Sequence, residues 1–250
     1  MSILAVTGLA KAFGGVRAVD NVGFSVAKGE LLAMIGPNGA GKTTCFNLVN
    51  GQLQPDAGEI SFEGRRIERL PPRERFRLGL GRTFQVAATF GSMSVRENVQ
   101  VAVLSRERKL ASVASSLEKV SSSKAKQILE QAGIAPLADR PCAELAYGDL
   151  KRVELAVALA GRPRLLLMDE PTAGMAAAER LALMGLVKEI SATDGISVLF
   201  TEHDMDVVFG FADRVLVLAE GGLIAQGTPA EVRADARVRR VYLGEEAAHA

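Results

Sequence analysis

Apolar and polar positions fall into two rhythms along this chain. Val22-Gly-Phe-Ser-Val26 alternates, which places its side chains on opposite faces of a strand, and the first 35 residues read as strands throughout. Lys28-Gly29 marks a turn, and Glu30-Leu-Leu-Ala-Met-Ile35 is a short apolar run that ends in a glycine-rich loop. Arg164-Leu-Leu-Leu-Met168 and Ile196-Ser-Val-Leu-Phe200 have the length and uniform apolarity of parallel strands buried on both faces. Helical patterning lies between them. One helix follows the glycine-rich loop and stops near Gly51; another is marked by Leu183, Leu186, Val187 and Ile190. Apolar strands alternating with helices predict an α/β core.

Pro55-Asp-Ala-Gly58 predicts a turn before a brief strand from Glu59 to Glu63. Helical patterning runs from Ser94 to Val103, resumes at Ile128–Ala132 and stops at Gly133; a long helix is expected over Gly148–Ala160. Val215–Leu218 and Leu223–Ala225, joined through Glu-Gly-Gly, read as a hairpin. Thr228-Pro-Ala-Glu231 then supplies a cap residue, a proline at the first helical position and a glutamate three residues on, so a helix should start there.

A chain of 250 residues suits one large domain, or a core with an inserted subdomain. Lys plus Arg number 30 and Asp plus Glu 29, a balance that argues against a general polyanion binder, so no nucleic-acid partner is expected. The neutral total conceals two basic stretches. Residues 65–82 hold seven arginines against two acids and read as a solvated or partner-facing surface. Residues 105–127 carry seven serines with six basic and two acidic side chains, and read as a surface helix or a loop. Cys45 and Cys142 lie far apart without CxxC spacing, which argues against a disulfide framework or zinc site and fits a reducing cytoplasm. Trp is absent and Tyr occurs twice, which argues against an aromatic carbohydrate platform. No run approaches the roughly 18 apolar residues of a membrane span, and the opening MSILAVTGLAK has no basic leader, so no signal peptide is expected.

Gly36-Pro-Asn-Gly-Ala-Gly-Lys-Thr-Thr44 matches GxxxxGK[ST], after a buried strand and before a helix. Glycines let the backbone curl so that N–H groups around Asn38, Gly39, Ala40 and Gly41 point at phosphates, and the helix adds its positive end. Lys42 is expected to reach the β- and γ-phosphates, and the Thr43 hydroxyl to ligate Mg²⁺, with Thr44 beside it. None of the five asparagines is followed by lysine, so a guanine-reading Asn-Lys-x-Asp motif is missing and ATP is the expected nucleotide. Leu165-Leu-Leu-Met-Asp169-Glu170 places two carboxylates after an apolar strand parallel to the one feeding the loop. Asp169 can hold Mg²⁺, and Glu170 can polarise an attacking water. His203 follows the next strand and can sense the γ-phosphate; Gln85 ends Gly81-Arg-Thr-Phe-Gln85.

In this order the motifs resemble an ATP-binding cassette (ABC) transporter ATPase across nearly the whole chain. The resemblance implies a P-loop NTPase (RecA-like) core with an antiparallel β-subdomain and an inserted α-helical subdomain, here about 87–160, and a C-terminal hairpin and helix over about 213–244. It implies that Phe13 stacks on adenine, that Gln85 contacts Mg²⁺ with Thr43 and Asp169, and that Glu170, His203, Lys42 and Gln85 are catalytic. It makes Leu145-Ala-Tyr-Gly-Asp149 the signature (Leu145, Ala146, Tyr147, Gly148, Asp149) that caps ATP held by a second ATPase subunit. Tyr147, Gly148 and Asp149, together with Gly81–Gln85, Arg96-Glu-Asn98, Thr201-Glu-His-Asp-Met205 and Arg240-Val-Tyr-Leu-Gly244, resemble the branched-chain amino acid importer (LivG-like) branch. That branch implies two permease subunits, a periplasmic solute-binding protein, and a peripheral position on the cytoplasmic face of the bacterial inner membrane. Cassettes for amides, urea, aromatic acids or lipopolysaccharide export, and cassettes acting on nucleic acid or ribosomes, are the alternatives. Ala146 lacks the signature serine hydroxyl, Leu150 and Lys151 replace the usual Gln and Arg, and Ala176 stands where the D-loop has Asn or Asp.

Overall fold

The apolar run after Glu30 forms β3 (Leu31–Ile35), with all five residues buried. In the computed structural model, which describes residues 2–83, 89–107 and 121–247, it lies inside a six-stranded sheet. The order is β10 (Gly222–Gly227), β9 (Arg214–Ala219), β3, β8 (Ser197–Thr201), β7 (Leu165–Asp169) and β6 (Leu80–Arg82). All neighbours run parallel except the β9–β10 hairpin at one edge. Period-2 alternation splits β3 between two cores. Leu32 and Met34 join Cys45, Phe46 and Leu48 of α1 (Lys42–Asn50) and the inner residues of a second sheet. Leu31, Ala33 and Ile35 pack with Leu183, Met184 and Val187 of α6 (Ala177–Asp194) and with Val207 and Val208 of α7 (Met205–Phe211).

The second sheet is antiparallel, in the order β2 (Val16–Ala27), β1 (Ser2–Phe13), β4 (Ala57–Phe62) and β5 (Arg65–Arg66). A helical layer holds a third core: Val95, Val99 and Val103 of α3 (Val95–Glu107), Leu129 of α4 (Ser121–Gln131), and Val153 of α5 (Tyr147–Ala160). Ser94 starts α3 with a reciprocal cap: its hydroxyl accepts the Glu97 N–H, and the Glu97 carboxylate accepts the Ser94 N–H. Thr228 and Glu231 repeat that arrangement at α8 (Pro229–Ala234), as the sequence predicts, and α9 (Ala236–Ala247) follows. This three-part architecture agrees with the resemblance.

The basic stretch 65–82 is solvated in part: Arg65, Arg66, Arg69, Arg73 and Arg77 are exposed, while Arg75 and Arg82 turn inward. It folds as β5, α2 (Pro72–Leu78) and β6, and Arg75 is only 1% exposed. Its guanidinium donates to the carbonyls of Leu48, Val49, Glu68 and Leu70 at 2.6, 2.7, 3.0 and 2.9 Å. Two of these belong to the last turn of α1, whose carbonyls have no partner within the helix. Gly51 makes room: its φ is 84°, and a Cβ there would lie 2.6 Å from Arg75 Nε. Of the serine-rich stretch, residues 121–127 are helical and residues 108–120 lie outside the described residues.

Candidate functional site

The loop between β3 and α1 turns on Gly41, where φ is 100° and a Cβ would sit 2.3 Å from the Ala18 carbonyl oxygen. No other residue type tolerates both the conformation and the contact. Gly41, the N-cap of α1, has no side chain with which to cap the helix, and a helix N-terminus of this kind favours an anion. Lys42 is buried, and its Nζ donates to the carbonyls of Gly36 at 2.6 Å and Pro37 at 3.0 Å. Thr43 is exposed and Thr44 half-buried. Phe13 ends β1 with 48% of its surface exposed, and Lys11 Nζ lies 5.6 Å from its ring centroid.

β8 separates β3 from the acidic strand. Met34, Thr201 and Asp169 are register partners in a row across β3, β8 and β7. Thr201 Oγ1 donates to Asp169 Oδ1 at 2.8 Å and accepts the Glu170 N–H at 3.0 Å. Glu170 has φ 48°, a left-handed conformation that costs a non-glycine residue roughly 1 kcal/mol or more and is held by its neighbours. Its Oε1 lies 2.8 Å from His203 Nε2, so an Nε2–H tautomer donates to the carboxylate. Glu202, buried, accepts from Thr172 N–H and Oγ1 at 2.9 and 2.6 Å and from His203 N–H at 3.2 Å. Asp204 caps α7 and pairs with Arg180 at 3.0 Å.

Asp169 Oδ2 meets Arg82 Nη2 at 3.1 Å. The residues expected from the sequence to meet a cation are Thr43, through its hydroxyl, and Asp169, through its carboxylate. Among the described residues no group of three or more His, Cys, Asp or Glu is gathered to hold a metal. Such a set suits Mg²⁺ shared with nucleotide phosphates rather than a cage made of protein alone.

Ala146 stands at the N-cap of α5 without a side-chain cap bond. Ala146 and Tyr147 are exposed, Leu145 and Asp149 half-buried, and Gly148 buried. Tyr147 lies against Gly174, and Gly148 against Glu179. Lys151 is buried, 3.2 Å from Glu154 and 5.4 Å from the Tyr147 ring. Asp169, Glu170 and His203 are thus brought together, and Lys42 stands on the phosphate loop two strands away. Gln85 lies outside the described residues. The sequence alone does not single out Thr172, Thr201, Glu202 or Arg82. Arg82, Thr201 and Glu202 stand in motif segments, but the signal there is adjacency to a motif residue and not a pattern of their own.

A parallel sheet with a glycine-rich loop at one strand end and acids at another, joined to an antiparallel sheet and a helical layer, defines a nucleotide-binding cassette. Residues 19–173 match the ABC transporter family, and residues 223–248 match the family described as branched-chain amino acid ATP-binding cassette transporter. The chain belongs to the ABC transporter ATPases. It is 38% identical to the high-affinity branched-chain amino acid transport ATP-binding protein LivG of Escherichia coli K12, with 97% of this chain and 98% of that protein covered. It is equally identical, at the same coverage, to BraF of Pseudomonas aeruginosa, and 36% identical to the lipopolysaccharide export ATP-binding protein LptB of Escherichia coli K12, with 98% and 99% covered. Among solved structures, the ADP conformation of the cassette MJ1267 superposes with a TM-score of 0.88 at 34% identity, covering 98% of this chain and 99% of that one. The dimeric cassette MJ0796 gives 0.77 at 25% identity, with 90% and 98% covered.

Proposed function

We propose that this chain is the ATP-hydrolysing subunit of a bacterial importer for branched-chain amino acids. The observation that carries the chemistry is the Glu170–His203 pair at 2.8 Å, held at the end of the acidic strand by Thr201 and Glu202. Phe13 stacks on adenine. The phosphate loop from Asn38 to Thr44 and the α1 N-terminus bind the phosphates, with Lys42 on the β- and γ-phosphates. Thr43, Asp169 and Gln85 hold Mg²⁺, which neutralises phosphate charge when bound. Glu170 orients and deprotonates the attacking water, and His203 fixes the Glu170 carboxylate and reaches toward the γ-phosphate.

Two such subunits sandwich ATP, each offering Leu145–Asp149 to the other's nucleotide; the dimeric cassette above supports this arrangement. The whole chain acts as one nucleotide-binding domain, with its helical subdomain over about 87–160 and the C-terminal hairpin and helix over about 213–244. Partners are two permeases and, through them, a periplasmic binding protein, with the chain peripheral on the cytoplasmic face of the inner membrane. No helix among the described residues is long and apolar enough to cross a membrane. The likeness to LptB makes lipopolysaccharide export the second reading, but the match at residues 223–248 favours the amino-acid branch.

ATP turnover of the parent and of Glu170→Gln tests the chemistry: the variant should fall about a hundredfold or more while still binding ATP. A parent no faster than the variant overturns it. Uptake of radiolabelled leucine by proteoliposomes holding the cassette and its permeases tests the transport reading, and uptake that ignores ATP defeats it.

A further inference from the structure

Arg82 ends β6, the edge strand that leads toward Gln85, and the proposed chemistry leaves it without a task. Its Nη1 donates to Asn47 Oδ1 of α1 and to Gln52 Oε1, both at 2.8 Å, and its Nη2 meets Asp169 Oδ2 at 3.1 Å. The two charged side chains are only 11% and 7% exposed. Arg82 Nε is buried with no hydrogen-bond partner among the described residues, so these residues do not hold the guanidinium with an optimised set of acceptors. The amides of Asn47 and Gln52 fix its plane but carry no charge to balance it. Asp169 supplies that balance, while Thr201 engages the other carboxylate oxygen.

A carboxylate this buried is costly without a counter-charge. A fixed guanidinium on one of its oxygens also opposes a second cation on the same group. We propose that Arg82 is a positioning residue that acts through Asp169: it neutralises the carboxylate and thereby weakens the affinity of the site for its divalent cation. With Arg82 present, Asp169 does not depend on the metal for compensation, so the cation is released more readily with the spent nucleotide. The pair also ties the strand approaching Gln85 to the acidic strand. This inference rests on the reading that Thr43 and Asp169 hold Mg²⁺.

The test is a calorimetric titration of Mg²⁺ into purified full-length protein saturated with a non-hydrolysable ATP analogue, with metal-free ADP binding as the check that each variant is folded. Arg82→Gln and Arg82→Met remove the charge with different shapes, and both should bind Mg²⁺ roughly tenfold more tightly than the parent. Arg82→Lys keeps the charge and should stay within about twofold of the parent. Unchanged or weaker affinity in the neutral variants, or an equal gain in Arg82→Lys, overturns the proposal. If neither neutral variant folds, Arg82→Lys decides: parent-like affinity supports the proposal, and a change beyond about fivefold refutes it. Asp169→Asn separates the two readings. If the parent and Asp169→Asn take Mg²⁺ equally well, the assignment of Asp169 to the metal fails; if Asp169→Asn loses the metal while the Arg82 variants match the parent, only the present inference fails.

Discussion

Thr201 Oγ1 donates to Asp169 Oδ1 at 2.8 Å across the β7–β8 pair, and the same oxygen accepts the Glu170 N–H. One hydroxyl therefore orients the proposed metal carboxylate and also holds the strained backbone of the proposed catalytic glutamate. Thr201→Val keeps the shape and removes both bonds. The expected loss is about 1–2 kcal/mol of stability, read by urea unfolding, with kcat down roughly tenfold. Thr201→Ser should recover most of the activity. A valine variant with parental kcat would show that the hydroxyl does not organise the site.

Arg75 makes a different claim on stability. Its five-donor fork reaches four backbone carbonyls from a site that burial makes hostile to charge, and its pKa is lowered to about 10 mainly by that desolvation. Lysine brings the charge without the planar fork; the Leu48 carbonyl keeps the Gly51 N–H, but the Val49 carbonyl loses its guanidinium donor. Arg75→Lys is expected to cost about 2–3 kcal/mol in chemical denaturation. Changing the exposed Arg73 to Lys should cost less than about 0.5 kcal/mol.

That contrast shows where the sequence was legible. The uniformly apolar runs at Leu31–Ile35 and Leu165–Met168 announced strands buried on both faces, because only such strands lack an alternating pattern. The cap at Thr228 was equally readable, since its chemistry is local to four residues. Strand β6, with three residues between a helix and the glutamine segment, was not legible: its partner β7 is more than eighty residues away. Arg75 and Arg82 looked like their exposed neighbours in a charged stretch, and only tertiary contacts make them internal. Lys42, Asp169, Glu170 and His203 could be picked out as motif residues. Thr201 and Glu202, which hold them, act through bonds to Asp169 and Thr172 from another strand, and no spacing rule encodes that.

Ala146 offers a test of helix capping at the proposed signature. It has φ −63° and ψ 154°, the extended conformation of an N-cap residue, but no side-chain acceptor for the first N–H groups of α5. Ala146→Ser should supply that acceptor and raise the free energy of unfolding by about 0.5–1 kcal/mol. The same hydroxyl would face the partner's nucleotide in the proposed dimer, so ATP-dependent dimerisation, followed by light scattering on a Glu170→Gln background, should also strengthen. A stabilised monomer with unchanged dimerisation would confine the effect to the cap.

Glu154 gives the chain a stability that depends on pH. Burial pushes its carboxyl above the ordinary value of 4.5, and Lys151 at 3.2 Å only partly offsets that; one carboxylate oxygen has no partner among the described residues. A carboxyl with a raised folded pKa binds its proton more tightly in the folded chain than in the unfolded one. Its contribution is therefore fully present below the unfolded value and is lost as pH rises through the folded one. Glu154→Gln keeps the size and an oxygen for Lys151 but cannot titrate. Unfolding free energies of parent and variant, measured by urea titration from about pH 4 to pH 8, should diverge in slope, with the parent losing stability relative to the variant as pH rises. Parallel curves would mean that Lys151 keeps the carboxylate ionised at no cost, and the raised pKa would then be wrong.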